Sequence, residues 1–212
     1  MQSRKKVPRF KREAPEKRRA DLVQAAIRCL AEGGMAAFKM ERIAAEAGVS
    51  LGLLPHYFKS KTELLTEVYR AALYDDVNRK ITDLVNKEAA GSPAERLCRI
   101  VDAIIDPDYL KPTNLTVWLA LWGEIVVNPE LRLAHRTLYR SYLKSLAALI
   151  DEVARDRRCS VNGTEIARSL QALIDGLFLE RALDRQAVSH ADFHRASYEF
   201  LELHLGKLAS AA

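Results

Sequence analysis

Residues 39–61 restrict the possible folds of this chain more than any other segment. Its first half carries apolar side chains at three- and four-residue spacing, at Met40, Ile43, Ala44 and Ala47, which predicts a short amphipathic helix. Gly48 then provides backbone freedom for a reversal, and Ser50 is a favourable N-cap for a second short helix. Two short helices joined by such a turn form a helix-turn-helix, whose second helix fits the DNA major groove. The alternative is an ordinary helical corner.

The charge of the chain is concentrated at its N-terminus. Residues 1–19 hold nine Lys or Arg and two Glu, a net charge of +7, whereas the whole chain carries +5 and the remainder therefore −2. A basic arm ahead of a helix-turn-helix favours contact with the phosphate backbone or an adjacent minor groove. Taken alone, such a run is equally typical of solvated disorder.

Length and composition indicate a cytoplasmic globular protein. The 212 residues suffice for one or two compact domains, and no apolar run approaches the roughly 20 residues of a membrane span. The basic N-terminus lacks the apolar segment of a signal peptide. Cys29, Cys98 and Cys159 are odd in number and far apart, which predicts free thiols rather than disulfides or a metal site.

In most of the remaining chain the apolar residues recur at helical spacing, and no stretch alternates apolar with polar residues as a strand would. Ser60, Ser92, Asn128, Asn162 and Ser189 are N-cap residues, and four of them precede an acidic residue by three positions. They predict helices over residues 60–87, 92–106, 128–158, 162–185 and 189–207. Two further helices run from Pro15 to a stop at Gly33-Gly34 and over 114–127. The fold class is all-α with about nine helices, a three-helix head followed by a C-terminal bundle.

The motif resembles a known family. The run Ile43-Ala44-Ala45-Glu46-Ala47-Gly48-Val49-Ser50, followed by His56-Tyr57-Phe58-Lys59-Ser60-Lys61, resembles the DNA-binding signature of TetR-type repressors. A similarity to the BetI branch, the choline-responsive repressors, extends over residues 52–58, 106–107, 118–122, 129–135 and 172–179. The resemblance covers most of residues 15–205. It implies a homodimer that binds a palindromic double-stranded DNA operator and responds to a small-molecule effector.

The resemblance also implies a division into domains. Residues 1–14 would form a basic disordered arm, 15–60 the DNA-binding domain, and 61–212 the effector-binding and dimerisation domain. In the dimer, the two heads would have to match half-sites about 34–36 Å apart. The helix that begins at Ser60 joins head to bundle and is the expected lever between them.

The resemblance assigns DNA contacts within the motif. It places Ser50, Leu51, Gly52, Leu53, Pro55 and His56 at the groove, and Tyr57 and Lys61 at phosphates. Leu51 and Leu53 offer no hydrogen bonds, so we expect weak base readout and a greater dependence on phosphates and DNA shape. Two departures stand out. Lys39 replaces the usual capping Ser or Thr but adds a cation, and Pro55 removes an amide, which predicts a loosened recognition helix.

Trp118 and Trp122 are the only tryptophans and lie four residues apart, so both point the same way from one helix. Their helix is almost wholly apolar, which predicts that it is buried. Two indoles can wall a cage for a quaternary ammonium ion, as the BetI-like pattern implies. Asp175 or Glu124 would supply the counter-charge, and the cage would be completed by Tyr109, Tyr139, Tyr142 and Phe178. The alternative is that these aromatic residues are ordinary core.

The last two helices are the expected dimer interface. They could pair with their copies in a four-helix bundle, with Gly176 allowing close approach beside Leu173 and Leu177. The alternative is that this face is intramolecular core. Asp175 must be paired wherever it is buried, and an Arg or His at the dimer face is an alternative partner to a ligand.

Two other functions remain open from the residues. A helical enzyme would need a Glu-x-x-His pair, a phosphate loop or a nucleophile motif, and none occurs. His190 and His194 share a helix face but lack a third metal ligand, so no catalytic residue, metal site or cofactor is predicted. The nearer alternative is a TetR-type regulator of another effector, such as a lipophilic drug or an acyl thioester.

Overall fold

A computed structural model describes residues 14–73 and 91–208. Within these two ranges it contains nine helices and no strand, which confirms the all-α prediction. The head contains α1 (Pro15–Ala37), α2 (Met40–Glu46), a 3-10 helix (Leu51–His56) and the start of α3 (Lys61–Leu73). The bundle contains α4 (Pro93–Ile104), α5 (Pro112–Val127), α6 (Pro129–Arg157), α7 (Gly163–Leu183) and α8 (His190–Leu205). The predicted arm, up to residue 13, and the predicted continuation of the Ser60 helix beyond residue 73 lie outside the described residues.

The predicted N-caps explain where four of the five bundle helices begin. Ser92 and Ser189 form reciprocal capping boxes with Glu95 and Asp192. The side chain of Asn128 accepts hydrogen bonds from two amides of α6, and that of Asn162 from two amides of α7. These bonds satisfy amides that have no partner within the helix. The local chemistry therefore fixes these boundaries to within two residues of the prediction.

The regular part of the first helix stops at the predicted glycine pair. Gly33 and Gly34 have non-helical backbone angles, with Gly34 at φ 57°, but helical turns resume and continue to Ala37. The interruption lets the end of α1 change direction before Phe38 and Lys39 lead into α2. The glycine pair therefore interrupts the helix where the sequence predicts a stop, and a short helical segment follows it up to Ala37.

One continuous hydrophobic core joins the head to the bundle. Leu22, Ile43, Leu54 and Leu64 are fully buried in the head, and Ile150, Leu170, Phe193 and Leu201 are fully buried in the bundle. α1 packs along α5, and α3 packs against both α5 and α6. Nη2 of Arg96 on α4 lies 2.7 Å from Oε2 of Glu152 on α6, a largely buried ion pair. No helix in the described ranges has the length and apolar content to cross a membrane.

Gly163 at the start of α7 allows a close approach to α6. Its amide donates to Oδ1 of Asp151 at 3.0 Å, and an added Cβ would lie 2.3 Å from that oxygen and 2.6 Å from the carbonyl oxygen of Ala147. We expect Gly163→Ala to lower the free energy of unfolding by about 1–3 kcal/mol. Urea denaturation at a fixed protein concentration would measure the change.

Gly123 on α5 is the matched control, because an added Cβ there would meet no atom within 4 Å. Gly123→Ala is expected to raise the free energy of unfolding by about 0.5–1 kcal/mol, since alanine is the better helix former. Equal effects of the two substitutions would contradict the close approach at Gly163.

Candidate DNA interface and effector site

The helix-turn-helix forms where the sequence predicts it. α2 ends at Glu46, and Gly48 turns the chain with φ 66°. The amide of Val49 then donates to the carbonyl of Ala44 at 2.9 Å, which closes the corner. Leu54 and Phe58 are buried and hold the second element against the head. The second element of the motif is therefore held by apolar contacts on its inner side.

The recognition helix is a single 3-10 helix, Leu51–His56, with Pro55 inside it. Pro55 has no amide to donate, and the amides of Tyr57 and Phe58 both donate to the carbonyl of Leu54 at 2.9 Å. This is the loosened geometry that the proline predicts. Ser50 stands at the N-cap position but its side chain makes no capping bond, so the predicted cap is wrong. Lys39 likewise begins α2 without a side-chain cap, as expected.

Most of the predicted DNA-contacting residues are exposed on the head. Leu53 and Tyr57 are half-buried, and the exposed members are Lys39, Ser50, Leu51, Gly52, Pro55, His56 and Lys61. Nζ of Lys61 lies 5.5 Å from the centre of the Phe38 ring, which directs this cation along the edge of the head. Leu51 keeps 45% of its surface exposed. The surface offers cations, one imidazole and exposed apolar groups, a mixture suited to phosphates and thymine methyl groups.

Trp118 and Trp122 lie together on α5, as their spacing predicts. Their rings are 5.7 Å apart and nearly perpendicular, at 71°. Trp118 also stacks on Phe178 of α7 at 5.0 Å, and Phe178 meets Phe193 of α8 edge to face at 5.0 Å. Phe178 is buried, whereas both indoles are half-buried. One face of Trp118 is therefore occupied, and Trp122 is the outer member of the cluster.

α5 is less buried than its composition predicts. Leu115, Val117 and Leu121 are its buried residues, whereas Val126 and Val127 at its C-terminal end each keep 70% of their surface exposed. The prediction of a wholly buried helix is wrong, because only one face of α5 packs against the core. Apolar content alone does not report this exposure.

A polar network lies on the two helices that follow α5. The Tyr142 hydroxyl on α6 donates to Oε1 of Gln171 on α7, and Nε2 of Gln171 donates to Oδ1 of Asp175 at 2.7 Å. Burial raises the pKa of Asp175 to about 6, against a lowering effect of the Gln171 bond. Burial, followed by the charge of Asp175, raises the pKa of Tyr139 to about 12. Gln171 is therefore a hydrogen-bond partner of Asp175 within the chain, and an Arg or His partner at the dimer face stays a prediction.

Glu124 is separated from the tryptophans. It lines an open cleft of about 430 Å³ between the end of α1 and α5, with Gly34, Met35, Thr116, Leu119, Ala120 and Gly123. Two residues span about 200° of a helix, which turns Glu124 away from Trp122. Asp175 is therefore the better candidate for a counter-charge. Tyr109 lies half-buried in the link after α4, where its amide donates to the carbonyl of Asp106 at 2.9 Å.

Comparison with known families accounts for both parts of the chain. Residues 22–68 match the tetR family of bacterial regulatory proteins, and residues 93–206 match the C-terminal domain of BetI-type transcriptional repressors. The chain belongs to the TetR family. Its relatives are transcriptional regulators, so the enzyme alternative is set aside, and the repressor acts by binding DNA.

Relatives of the repressor match it over nearly its whole length. The HTH-type transcriptional regulator BetI 1 of Chromohalobacter salexigens is 32% identical over 200 residues, which cover 92% of this chain and 94% of the relative. BetI of Escherichia coli O17:K52:H18 is 32% identical over 192 residues, 89% of this chain and 94% of the relative.

Solved structures share the fold of the repressor. A transcriptional regulator of Pseudomonas aeruginosa PAO1 is 29% identical, with a TM-score of 0.76 over 92% of this chain and 93% of the other. A regulator of Saccharomonospora viridis in complex with choline is 24% identical, with a TM-score of 0.74 over 88% and 96%. FadR of Bacillus subtilis in complex with stearoyl-CoA is 21% identical, with a TM-score of 0.70 over 91% and 99%.

Arg19 on α1 holds the recognition element of the repressor, a role that its place in the basic run of residues 1–19 does not predict. Its Nη1 donates to the carbonyl of Tyr57, and its Nη2 lies 3.1 Å from Oε1 of Glu63 and 3.6 Å from Oε1 of Glu67. The guanidinium also lies 4.4 Å above the centre of the Phe58 ring. Arg19 therefore ties α1 to the end of the 3-10 helix and to α3. Its partners are about 40 residues away along the chain, beyond any local pattern.

The surface of α7 and α8 corresponds only in part to the predicted dimer face. Gly176 is exposed, but Leu173 and Leu177 are half-buried, and Leu177 packs on the core. The exposed face of α7 instead carries small and apolar residues at helical spacing, namely Ala172, Gly176, Leu179 and Leu183. On α8, Leu203 keeps 80% of its surface exposed. Of the three predicted interface residues only Gly176 belongs to this exposed stripe, and the interface itself stays a prediction.

Proposed function

We propose that the effector of this repressor is choline or a related quaternary ammonium compound, and that its binding changes the affinity for a palindromic operator. The observation that carries the proposal is a half-buried carboxylate, Asp175, on the helix whose Phe178 stacks on Trp118. The match of residues 93–206 to BetI-type repressors supports the same ligand class.

The aromatic side chains and the carboxylate of Asp175 suit this ligand. A quaternary ammonium group has no N–H to donate, so it is recognised by aromatic faces and by a nearby negative charge. Each aromatic contact contributes on the order of 0.5–2 kcal/mol when desolvated. Trp122 presents an indole that is half-buried, and Asp175 supplies the charge. An acyl thioester would instead require a long aliphatic tunnel. The phosphates of an acyl-coenzyme A would also be repelled by Asp175.

Intrinsic fluorescence provides the direct test, because Trp118 and Trp122 are the only tryptophans. The protein would be titrated with choline, betaine aldehyde and glycine betaine, alone and bound to its own upstream DNA. The uncharged isostere 3,3-dimethylbutan-1-ol is the matched control ligand. We expect a saturable change with a cationic ligand only, together with altered DNA affinity. No change up to millimolar ligand, with DNA binding intact, would overturn the choline-type effector and return the tryptophans to ordinary core.

Substitutions of the two tryptophans distinguish the effector site from the operator-binding surface. Trp118→Ala and Trp122→Ala are expected to abolish the ligand response but to keep operator binding. Trp118→Phe and Trp122→Phe retain an aromatic ring, and each leaves one indole to report the titration. Loss of operator binding with the response retained would contradict the assignment of these residues to the effector site.

We also propose that the exposed head surface contacts the operator, with Lys39 and Lys61 at phosphates and His56 at a base edge or phosphate. Leu51 and Leu53 would lie against bases without hydrogen bonds. Because a single head spans only one major-groove turn, a palindromic operator requires two heads. This proposal therefore includes a homodimer formed through α7 and α8.

The exposed stripe of α7 and Leu203 of α8 define the expected interface. Leu183 and Leu203 keep 76% and 80% of their surface exposed, and their burial against a second copy would explain this apolar surface. We expect the combined Leu183→Glu and Leu203→Glu variant to be monomeric in sedimentation equilibrium and to bind the operator at least about 10-fold more weakly. Leu133→Glu on α6, also exposed at 61%, is the control and is expected to remain dimeric. A dimeric double variant would contradict this interface.

A further inference from the structure

Tyr69 occupies the end of α3 that faces the bundle. α3 begins at Lys61, beside the recognition element, and its Leu64, Leu65 and Val68 are buried in the core that the head shares with the bundle. Tyr69 is itself only 1% exposed. Its position on the helix that leaves the head makes its contacts relevant to how the head is held.

Tyr69 is hydrogen-bonded to a histidine of the bundle. Its hydroxyl lies 2.6 Å from Nδ1 of His135 on α6, and the two rings meet edge to face at 5.9 Å. Burial lowers the pKa of His135, which favours the neutral imidazole. The bond then contains one proton, carried by the hydroxyl or by Nδ1 according to the tautomer. A second contact, from Nδ2 of Asn128 to Oγ1 of Thr62 at 3.4 Å, joins the same two helices.

His135 is connected to the proposed effector site by a series of contacts. It stacks on Tyr139 at 5.0 Å, and Tyr139 lies 6.2 Å from Tyr142. Tyr142 is bonded to Gln171, and Gln171 to Asp175. An unbroken series of ring contacts and hydrogen bonds therefore leads from Asp175 on α7, across α6, to α3.

We propose that the Tyr69–His135 hydrogen bond is the coupling contact through which effector binding at Asp175 changes the position of α3 and of the DNA-binding head. The inference rests on the proposed effector site. An effector acts only through different affinities for two arrangements of the protein. A cation attracted to Asp175 displaces that carboxylate and the Gln171 amide bonded to it. The aromatic residues between Gln171 and Tyr69 then carry the change to α3.

The test is Tyr69→Phe, which removes the hydroxyl and keeps the ring. Operator affinity would be measured by fluorescence anisotropy with and without saturating choline, and the ratio of the two dissociation constants reports coupling. We expect this ratio to fall by about 2- to 30-fold, while the affinities for choline and for the operator alone stay within about twofold. His135→Phe, which keeps a ring against Tyr139, is expected to give the same reduction.

Tyr198→Phe is the matched control. Tyr198 is a buried tyrosine whose hydroxyl donates to Oδ1 of Asp102 at 2.8 Å, between α8 and α4. Its substitution is expected to leave the ratio unchanged. A wild-type ratio in Tyr69→Phe would overturn the inference, and so would an equal reduction in Tyr198→Phe, since that result would indicate general loosening.

A second measurement separates this inference from the choice of effector. If choline has no effect on the wild type, the proposed effector is overturned, and the coupling is decided without a ligand. Asp175→Asn, Tyr69→Phe and the double variant would then be compared for operator affinity. We expect the double variant to differ at least about threefold from the product of the two single effects. Independent effects would overturn the coupling.

Discussion

Replacing Asp175 by Asn is expected to abolish the response to quaternary ammonium ligands and, at the same time, to stabilise the ligand-free protein at neutral pH. The carboxylate lies in a partly desolvated site that raises its pKa to about 6, so its ionised form is unfavourable in the absence of a cation. Asn keeps an oxygen that can accept the Gln171 bond but removes the charge. A merely structural Asp175 would lose stability on this substitution.

The pH dependence follows from the same raised pKa. Below pH 6 Asp175 is protonated and offers no charge to a cation, so choline affinity of the wild type is expected to fall about tenfold from about pH 7 to about pH 5. Between the ordinary Asp pKa and about pH 6 the folded state binds more protons than the unfolded state, so the contribution of Asp175 to stability decreases as pH rises through this window. Both dependences are expected to vanish in Asp175→Asn.

Isothermal titration with choline and thermal unfolding of the ligand-free protein, each from about pH 5 to about pH 8, would measure these effects. Asp156→Asn is the control, because Asp156 is an exposed carboxylate on α6. Unchanged choline affinity in Asp175→Asn, or a flat wild-type affinity profile, would contradict the role of Asp175 as counter-charge.

Deletion of residues 1–13 is expected to weaken operator binding at least about 10-fold at about 0.1 M salt and to flatten its salt dependence. The deleted segment holds six Lys or Arg and one Glu, and the deletion leaves α1, which begins at Pro15, intact. Removing one phosphate contact lowers the slope of log K against log salt by about 0.9. Because a dimer has two arms, removing two such contacts per arm would reduce the slope by about 3.6.

Anisotropy titrations between about 50 and 200 mM salt would measure the slope. The control replaces Arg136, Arg140 and Lys144 by Gln, since these three cations are exposed along one face of α6 in the bundle. This variant removes exposed charge from the bundle and is expected to keep the wild-type slope. An unchanged slope after the deletion would show that the arm does not contact phosphates.

Local chemistry determines what was predictable in this protein. The Ser92 box and the Asn128 cap need only residues within three positions, so the sequence identifies them. The predicted cap at Ser50 fails in a 3-10 helix, where the amide of Leu53 donates to the carbonyl of Ser50 at 3.0 Å. Glu124 is a foreseeable error, since two residues along a helix separate it from Trp122 by more than half a turn.

Contacts between distant segments account for what was missed. Phe178 stacks on Trp118 from a helix about 60 residues later, and this contact decides which indole faces outward. Arg19 reaches Tyr57 and Glu63 from the other end of the head, and the hydroxyl of Tyr142 reaches Gln171 from the preceding helix. Such contacts depend on how whole helices pack, which side-chain spacing within one helix does not specify.

The short recognition helix has a consequence for which genes such a regulator can control. Pro55 fixes one of its backbone angles, Arg19 anchors its end, and two of its groove-facing side chains are leucines that form no hydrogen bonds. A recognition element with so few hydrogen-bonding groups would select sites by how readily the double helix takes the required groove width and bend. Operator mutations that change the base sequence but preserve groove width and bendability would be nearly neutral. Promoter regions bound by this regulator could therefore diverge in sequence while remaining regulated by it.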